Sequence, residues 1–583
     1  MNSEPRKSFC IVHSAFCIAF AVAAFAATAN AGPKKYIAFA WEFKSVTPAN
    51  VLANADKLAE TPLDGIGIML GGTNAAGEKF GSEWDPHFVN GTRWDKEGIK
   101  KSVKEWREVH DRTTLKDCFV FGFRQPMKRL DWTNDEAWEK FANNIAVAAW
   151  AANETGFKGM FCDTEDYHGV AQFYHNKAKD PPVEECRKLA RRRGAECFGG
   201  AFRECPNLKV FFFWLLSQQR TDFSTSTLSR TVDNDKSGWL WPAFVDGILD
   251  VITPDAKLID GDEWGYFYEY SSRDFHESAL NQVFHAQRLL APENRAKYAA
   301  HISPSFGIYM DCYVYPGGWW CKGPVGGSRL EHLRRNMADA TECAGDFVWF
   351  WGEHRTWIDW SADTHIRPAV YKGVFGMKDR KDSEPWRWED WIPGVNETLK
   401  MTKDFDAGCA ARVEQLRAAG ALTNLIVHGD CQFPGLTNDF TKGVPPPFKH
   451  VNTYNRGGSL GVDRTVGDGD TASVLIQGTK SARITFARDK EVAPGEVYAF
   501  EVSAKSENMG VPQAYISWRV SGDVPAVTMK FGEPDENGWR HGVCYFKVPI
   551  SLSHVWACVR ASQGSDNTKK VWLDNFALYR LWP

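Results

Sequence analysis

The chain has 583 residues, with 69 Lys and Arg against 73 Asp and Glu and a formal net charge of −4. That balance, with no basic block beyond Arg191-Arg192-Arg193, excludes a nucleic-acid binder built on a basic stripe. Aromatic residues make up 14% of the chain and include 25 Trp, which suits either a glycan binder that stacks indoles on sugar faces or a large Trp-rich core.

Residues 1–31 read as an export signal. Arg6 and Lys7 supply a basic start, Cys10 to Ala27 is an uncharged apolar run, and Ala29-Asn30-Ala31 is a small-x-small cleavage site, so the mature chain is expected to begin at Gly32. A membrane anchor is the rival reading of the apolar run. No later segment is long and apolar enough to span, so the mature chain is expected to be secreted or periplasmic without a membrane span. Twelve cysteines follow the signal with no C-x-x-C pair, which disfavours a zinc ribbon. Export permits disulfides, with Cys312–Cys321, or Cys186 with Cys197 or Cys205, as options, whereas Cys118 and Cys162 read as small buried residues.

Residues 32–420 alternate short apolar runs with longer helical patterns, the signature of parallel strands and crossover helices. Eight strands are expected at 36–43, 65–70, 118–124, 159–165, 209–215, 248–254, 301–310 and 347–353. Helices are expected at 94–110, 135–152, 183–202, 274–290, 329–344 and 391–419. The count predicts an α/β fold, a (β/α)8 TIM-like barrel. An open doubly wound sheet is disfavoured because no G-x-G-x-x-G turn follows the first strand.

The chemistry concentrates at the end of the fourth strand, in Asp163-Thr164-Glu165-Asp166. Side chains alternate along a strand, so Asp163 and Glu165 share a face, with Cα atoms about 6.6 Å apart. Two close carboxylates raise one another's proton affinity, and a carboxylic acid kept neutral can protonate a glycosidic oxygen. A second carboxylate is sought at other strand ends: Glu353 and Asp311 first, then Glu42 and Glu263, with Asp255 a further option. Trp41, Trp214, Trp264, Trp319, Trp320 and Trp351 lie at or beyond strand ends and are the expected sugar platforms.

This D-x-E, with a Gly four residues before the Asp, resembles family-18 chitinases and their relatives. The resemblance implies Glu165 as the acid and Asp163 as the residue that steers the substrate's acetamido group. Phe161 replaces the preceding Asp of that signature and no later M-x-Y-D stretch occurs, which counts against cleavage assisted by an N-acetyl sugar.

Residues 421–583 change character. Short alternating strands at 472–476, 482–486, 497–504, 514–520, 543–548 and 555–561 are separated by Gly, Pro, Asn and Asp, which predicts an all-β jelly-roll sandwich. Asn424-Leu425-Ile426 with Gly429-Asp430, Val492-Ala493-Pro494-Gly495 leading to Tyr498 and Phe500, and Val571-Trp572-Leu573-Asp574-Asn575-Phe576 resemble, in order, the sandwich carbohydrate-binding modules of families 4, 9 and 22. The resemblance implies a structural calcium, for which Asp430 and Asp574 are the matching positions.

Together these features predict a secreted glycoside hydrolase that acts on an oligo- or polysaccharide by carboxylate general acid/base catalysis, with Glu165 as the general acid/base and Asp163 as its partner, without a catalytic cofactor. Two rivals remain. One is a glycan-binding protein with a degenerate barrel. The other is a metal-dependent hydrolase using Asp163, Glu165 and His168 with His301 and His354, although strand one carries no H-x-H.

Overall fold

In a computed structural model, the described residues are 32–81, 92–124, 128–166, 169–217, 238–314, 321–360, 366, 385–432, 435, 450–454, 459–478, 481–485, 490–518, 526–549, 552, 554–561, 566 and 568–583. The export segment, His168, Trp319 and Trp320 lie outside them. The chain forms two compact units, the first ending at Asp404 and the second running from Phe405 together with the short segment Tyr270–Ser272. The residues expected as one helix over 391–419 form Trp388–Trp391, Val395–Thr402 and Phe405–Ala418. The third belongs to the second unit, where Cys409 and Val413 pack with Val497, Ala499 and Leu581.

The first unit contains β1 (Lys35–Ala38), β2 (Gly65–Ile68), β3 (Gly71–Thr73), β4 (Lys79–Gly81), β5 (Phe119–Arg124), β6 (Gly159–Asp163), β7 (Lys209–Phe212), β8 (Lys257–Asp260), β9 (Ile302–Pro304), β10 (Gly307–Tyr309) and β11 (Phe347–Trp351). β3 and β4 form a small antiparallel pair. The other nine make one sheet in the order β10-β11-β1-β2-β5-β6-β7-β8-β9, with every pairing parallel. The seventh expected strand is therefore split at Ser305-Phe306, its first piece on β8 and its second on β11.

Strand six is the main departure. Residues 248–251 lie in the helix Trp241–Val251 and the strand is β8. Trp241, Phe244, Val245, Ile248 and Leu249 are all buried, a spacing of i, i+3, i+4, i+7 and i+8 that gives one helical face, and Pro242 suits its first turn. The expected helix over 274–290 is broken into an α segment, a π turn and a 3-10 turn. Elsewhere caps fix the ends: Asn134 accepts the Ala137 N–H at the start of Asp135–Thr155, and Gly156, with φ 77°, closes it.

The concave side of this sheet is filled by rings. Phe39, just past β1, meets Phe119, Phe161, Phe211, Phe213 and Trp349 with centroids 4.7–6.0 Å apart, and Phe213 stacks on Trp349 at 4.5 Å. Because all nine strands run the same way, residues just after each strand emerge at one end of the sheet.

The second unit carries β12 (His450–Tyr454), β13 (Ser459–Asp463), β14 (Ser473–Gln477), β15 (Ser481–Thr485), β16 (Lys490–Glu491), β17 (Val497–Glu507), β18 (Gln513–Trp518), β19 (Val527–Thr528), β20 (Lys530–Phe531), β21 (Trp539–Lys547), β22 (His554–Ala561) and β23 (Lys570–Trp582). They form two six-stranded sheets, β12-β15-β22-β18-β19 with β16 on β22, and β13-β14-β23-β17-β21-β20, around a shared core that includes Val474, Phe500, Ile516, Val559 and Leu573. The Asn424 segment, expected as an opening strand, is a single antiparallel bridge to Tyr579 on β23. None of the twelve cysteines after the signal forms a disulfide, and eleven of them are buried. Among the described residues no helix is long and apolar enough to cross a membrane.

Candidate active site

β6 ends at Asp163 rather than at Glu165. The fully buried Asp163 turns the chain there, its Oδ1 accepting the Glu165 N–H at 3.1 Å. Glu165 is half-buried and Asp166 exposed. Asp166 caps the loop beyond by accepting the Val170 and Ala171 N–H groups at 2.9 and 2.7 Å.

Glu263 comes to this pair from the loop after β8. Burial holds its carboxyl well above the ordinary carboxylate range, and the negative charges of Glu165 and Asp163 push it further. Hydrogen bonds from Trp214 and Tyr266 work against that rise. Its Oε2 is shielded from solvent and has no hydrogen-bond partner among the described residues. Trp214 and Trp264 meet edge to face at 5.4 Å beside it, and Phe267, exposed, packs on Trp264 at 6.1 Å.

The turn that aims Glu263 is built by Asp262. Its φ of 37° is left-handed, a conformation that costs a non-Gly residue free energy. The buried carboxylate Oδ2 accepts the Tyr268 hydroxyl at 2.9 Å and the Ser278 hydroxyl, while the backbone oxygen accepts the Gly265 N–H at 2.9 Å and the Gly307 N–H at 3.3 Å. A Cβ on Gly265 would stand 2.5 Å from the Gly307 oxygen, so the 3-10 turn Glu263–Phe267 lies against β10 only because that position is bare.

Asp311 and Glu353 form a second pair. Asp311 is buried, and its Oδ2 accepts the Glu353 N–H at 2.8 Å. Burial, opposed by backbone bonds and reinforced by the Glu353 charge, pushes Asp311 up to about 7. Burial also raises Glu353, which accepts the Tyr309 hydroxyl and the Trp351 indole N–H, each at 3.2 Å. Tyr309 faces Tyr266 at 5.2 Å between centroids, so adjoining rings link this pair to Glu263.

Glu42 does not belong with the candidate acids. It is fully buried, accepts the Trp357 N–H on both oxygens at 3.0 and 2.8 Å, and takes the Trp360 indole at 3.1 Å. It is an anchor for the segment after β11. Trp41 beside it is half-buried, with the Lys44 ammonium 4.7 Å from its ring centroid. Asp260 is likewise occupied, accepting the Leu215, Leu216 and Ser217 N–H groups at 2.8–3.0 Å. Asp255 precedes β8 and is exposed. His301 bonds the Ala256 oxygen at 2.8 Å at that same starting end, so it cannot join a metal centre with Asp163. His354 Nε2 lies 3.9 Å from Glu353. Among the described residues, the groups with metal-ligand spacing are His175-Asp180-Cys186 and Asp468-Asp535-His541.

In the second unit, Asp574 is buried and accepts the Asp468 and Asn575 N–H groups at 2.9 and 2.8 Å. Burial, with the charges of Asp470 and Asp468 adding, raises it to about 7. Asp430 is exposed and accepts the Gln432 N–H at 3.3 Å. Asp574, Asp430 and Asp470 all act on the buried Cys431 thiol, which burial chiefly holds up.

No family model matches the chain, and no curated protein does. Among solved structures, it is similar to the enzymatically active domain of bacteriophage CBA120 tailspike protein 4, at 14% identity and TM-score 0.21. That likeness covers 27% of this chain and 21% of the tailspike chain, so only a fifth of that protein's length is spanned. A family 16 carbohydrate-binding module is similar at 16% identity and TM-score 0.20, over 27% of this chain and 99% of the module. The CBM22-1–GH10 modules of Clostridium thermocellum endo-1,4-beta-D-xylanase 10B, complexed with xylohexaose, are similar at 12% identity and TM-score 0.18, over 22% and 26%. The neighbours are thus carbohydrate-binding modules and domains linked to glycoside hydrolases.

Proposed function

We propose that this protein hydrolyses glycosidic bonds in an oligo- or polysaccharide, with Glu263 as general acid and Glu165 as the carboxylate that attacks the sugar or activates water. The observation that carries the reading is the meeting of Asp163, Glu165 and Glu263 beside Trp214 and Trp264, with Glu263 favoured in its protonated form. Burial and two neighbouring negative charges favour the protonated form of Glu263, the form that protonating a leaving glycosidic oxygen requires. Asp163 sets the Glu165 backbone through its N–H and supplies part of the charge that holds the Glu263 proton.

The setting supports this. The sheet reads as a closed ring of the (β/α)8 type, because β9 and β10 are neighbouring pieces of one strand hydrogen-bonded to β8 and β11 respectively, and because Phe39 gathers five rings from β5, β6, the β7 run and β11. Active sites of such rings lie at the carboxyl ends of the strands, where these acids emerge. Trp214, Trp264 and Trp351 offer sugar platforms there.

The sandwich is read as a carbohydrate-binding module that steadies itself with a calcium ion. Asp574 and Asp430 would supply the oxygen donors that a hard cation prefers, and a bound divalent charge would offset the burial and neighbouring charges that raise Asp574. Export with cleavage before Gly32 completes the reading, and is checked by N-terminal sequencing of secreted protein. Activity is tested by reducing-end release across a polysaccharide panel. Release by the wild type and none by Glu165→Gln supports the reading. Tight glycan binding without turnover in the wild type replaces it with the non-catalytic one.

A further inference from the structure

A second cluster lies away from these acids, in the loop that leads from β6 into the helix Val183–Glu204. We propose that His175, Asp180 and Cys186 form a binding site for a divalent transition metal of the zinc class. One donor atom from each residue lies within 4.8 Å of the others. The three supply nitrogen, oxygen and sulfur, a set that suits zinc or cobalt and not calcium or magnesium. Cys186 is fully buried and the Asp180 side chain is only 5% exposed.

A fourth donor is in place. The Pro181 carbonyl oxygen lies 2.8 Å from His175 Nε2 and 3.3 Å from Cys186 Sγ. Corners of a tetrahedral zinc site stand roughly 3.3–3.7 Å apart, given metal–ligand bonds of about 2.0–2.3 Å. The contacts that are hydrogen bonds without metal therefore become edges of the coordination shell after shifts of a few tenths of an ångström. Asp180 is held in place by bonds to one of its oxygens. Its Oδ2 accepts the Asn176 N–H at 2.7 Å and the Arg129 guanidinium, and neither bond uses Oδ1. Arg129 is itself fixed by the Ala171 and Tyr174 carbonyls, the outer-shell support that metal-ligating carboxylates have.

Binding replaces the Cys186 thiol proton with the metal and releases that proton to solvent. The ion would staple the loop that descends from Glu165 to the helix behind it. No carboxylate of the proposed hydrolytic site takes part, so the metal site and the hydrolase stand or fall separately.

The test uses the full chain stripped with chelator and titrated with Co2+. The expected result is one equivalent bound with a thiolate-to-cobalt charge-transfer band and tetrahedral visible bands, displaced by Zn2+. Both Cys186→Ala and His175→Ala, checked for unchanged circular dichroism, should lose the charge-transfer band. Should one fail to fold, the other decides. No charge-transfer band in the wild type, or a band that persists in a folded variant, would overturn the site.

Discussion

Glu42 shows how a buried carboxylate acts on stability without touching substrate. Burial, outweighing the bonds from Trp360 and Trp357, pushes its carboxyl up to about 8 from the 4.5 of an ordinary glutamate. A folded-state pKa raised this way gives stability that is complete below about 4.5 and is lost as pH rises through 8. The thermal midpoint of the first unit should therefore fall between pH 5 and pH 8, and Glu42→Gln should flatten that slope. An unchanged slope would mean that Glu42 is ionised in the folded state. Asp262 acts on chemistry through position. Asp262→Ala leaves the Tyr268 and Ser278 hydroxyls without their acceptor and keeps the left-handed backbone strain. It should cost about 1–3 kcal/mol in denaturant unfolding and lower turnover, whereas Asp262→Asn, which retains one acceptor and tolerates positive φ, should recover part of both. Strand alternation marks Asp163 and Glu165 as a pair in the sequence, but the strand ends at Asp163 and it is a turn, with Asp163 Oδ1 accepting the Glu165 N–H, that sets Glu165 beyond it. Glu263 stands low among the candidates read from sequence because nothing local in Asp260-Gly261-Asp262-Glu263 says which strand precedes it.

At the scale of elements, that ambiguity has a physical cause. Ile248–Ile252 is an apolar run readable as strand or helix, and the helical spacing of Trp241, Phe244, Val245, Ile248 and Leu249 decides it. Once β8 is set at Lys257–Asp260, Glu263 falls at a strand exit like Asp163. The other seven strand positions are readable because parallel strands buried on both faces form continuous apolar runs. The breaks at Ser305-Phe306 and Asn281–His285 are not, since they follow from tertiary packing. The fit of the Glu263–Phe267 turn on β10 gives a prediction at this scale. Gly265→Ala pushes a methyl to 2.5 Å from the Gly307 oxygen. It should cost about 1–3 kcal/mol and, by displacing Glu263, lower turnover on the order of 100-fold. A variant with normal kcat would show that the turn does not aim the acid.

For the whole molecule, the divide at Asp404/Phe405 matters more than composition suggests. Composition changes near 420, where long helical patterns stop, but Phe405–Ala418 buries Cys409 and Val413 against the sandwich. A fragment of residues 405–583 should thus melt higher than one of 421–583, and equal midpoints would make the helix a passive linker. Calcium should raise the melting temperature of the longer fragment, and Asp574→Asn should abolish that rise. No shift with calcium in the unmutated fragment would remove the cation from the account. The central claim is the division of labour between Glu263 and Glu165, and leaving-group dependence tests it most directly. Turnover of Glu263→Gln should fall about 10²–10⁴-fold on a natural glycan yet recover on aryl glycosides whose phenol leaves without protonation, while Glu165→Gln stays inactive on both. Equal activity of Glu263→Gln and wild type on the natural glycan would contradict it.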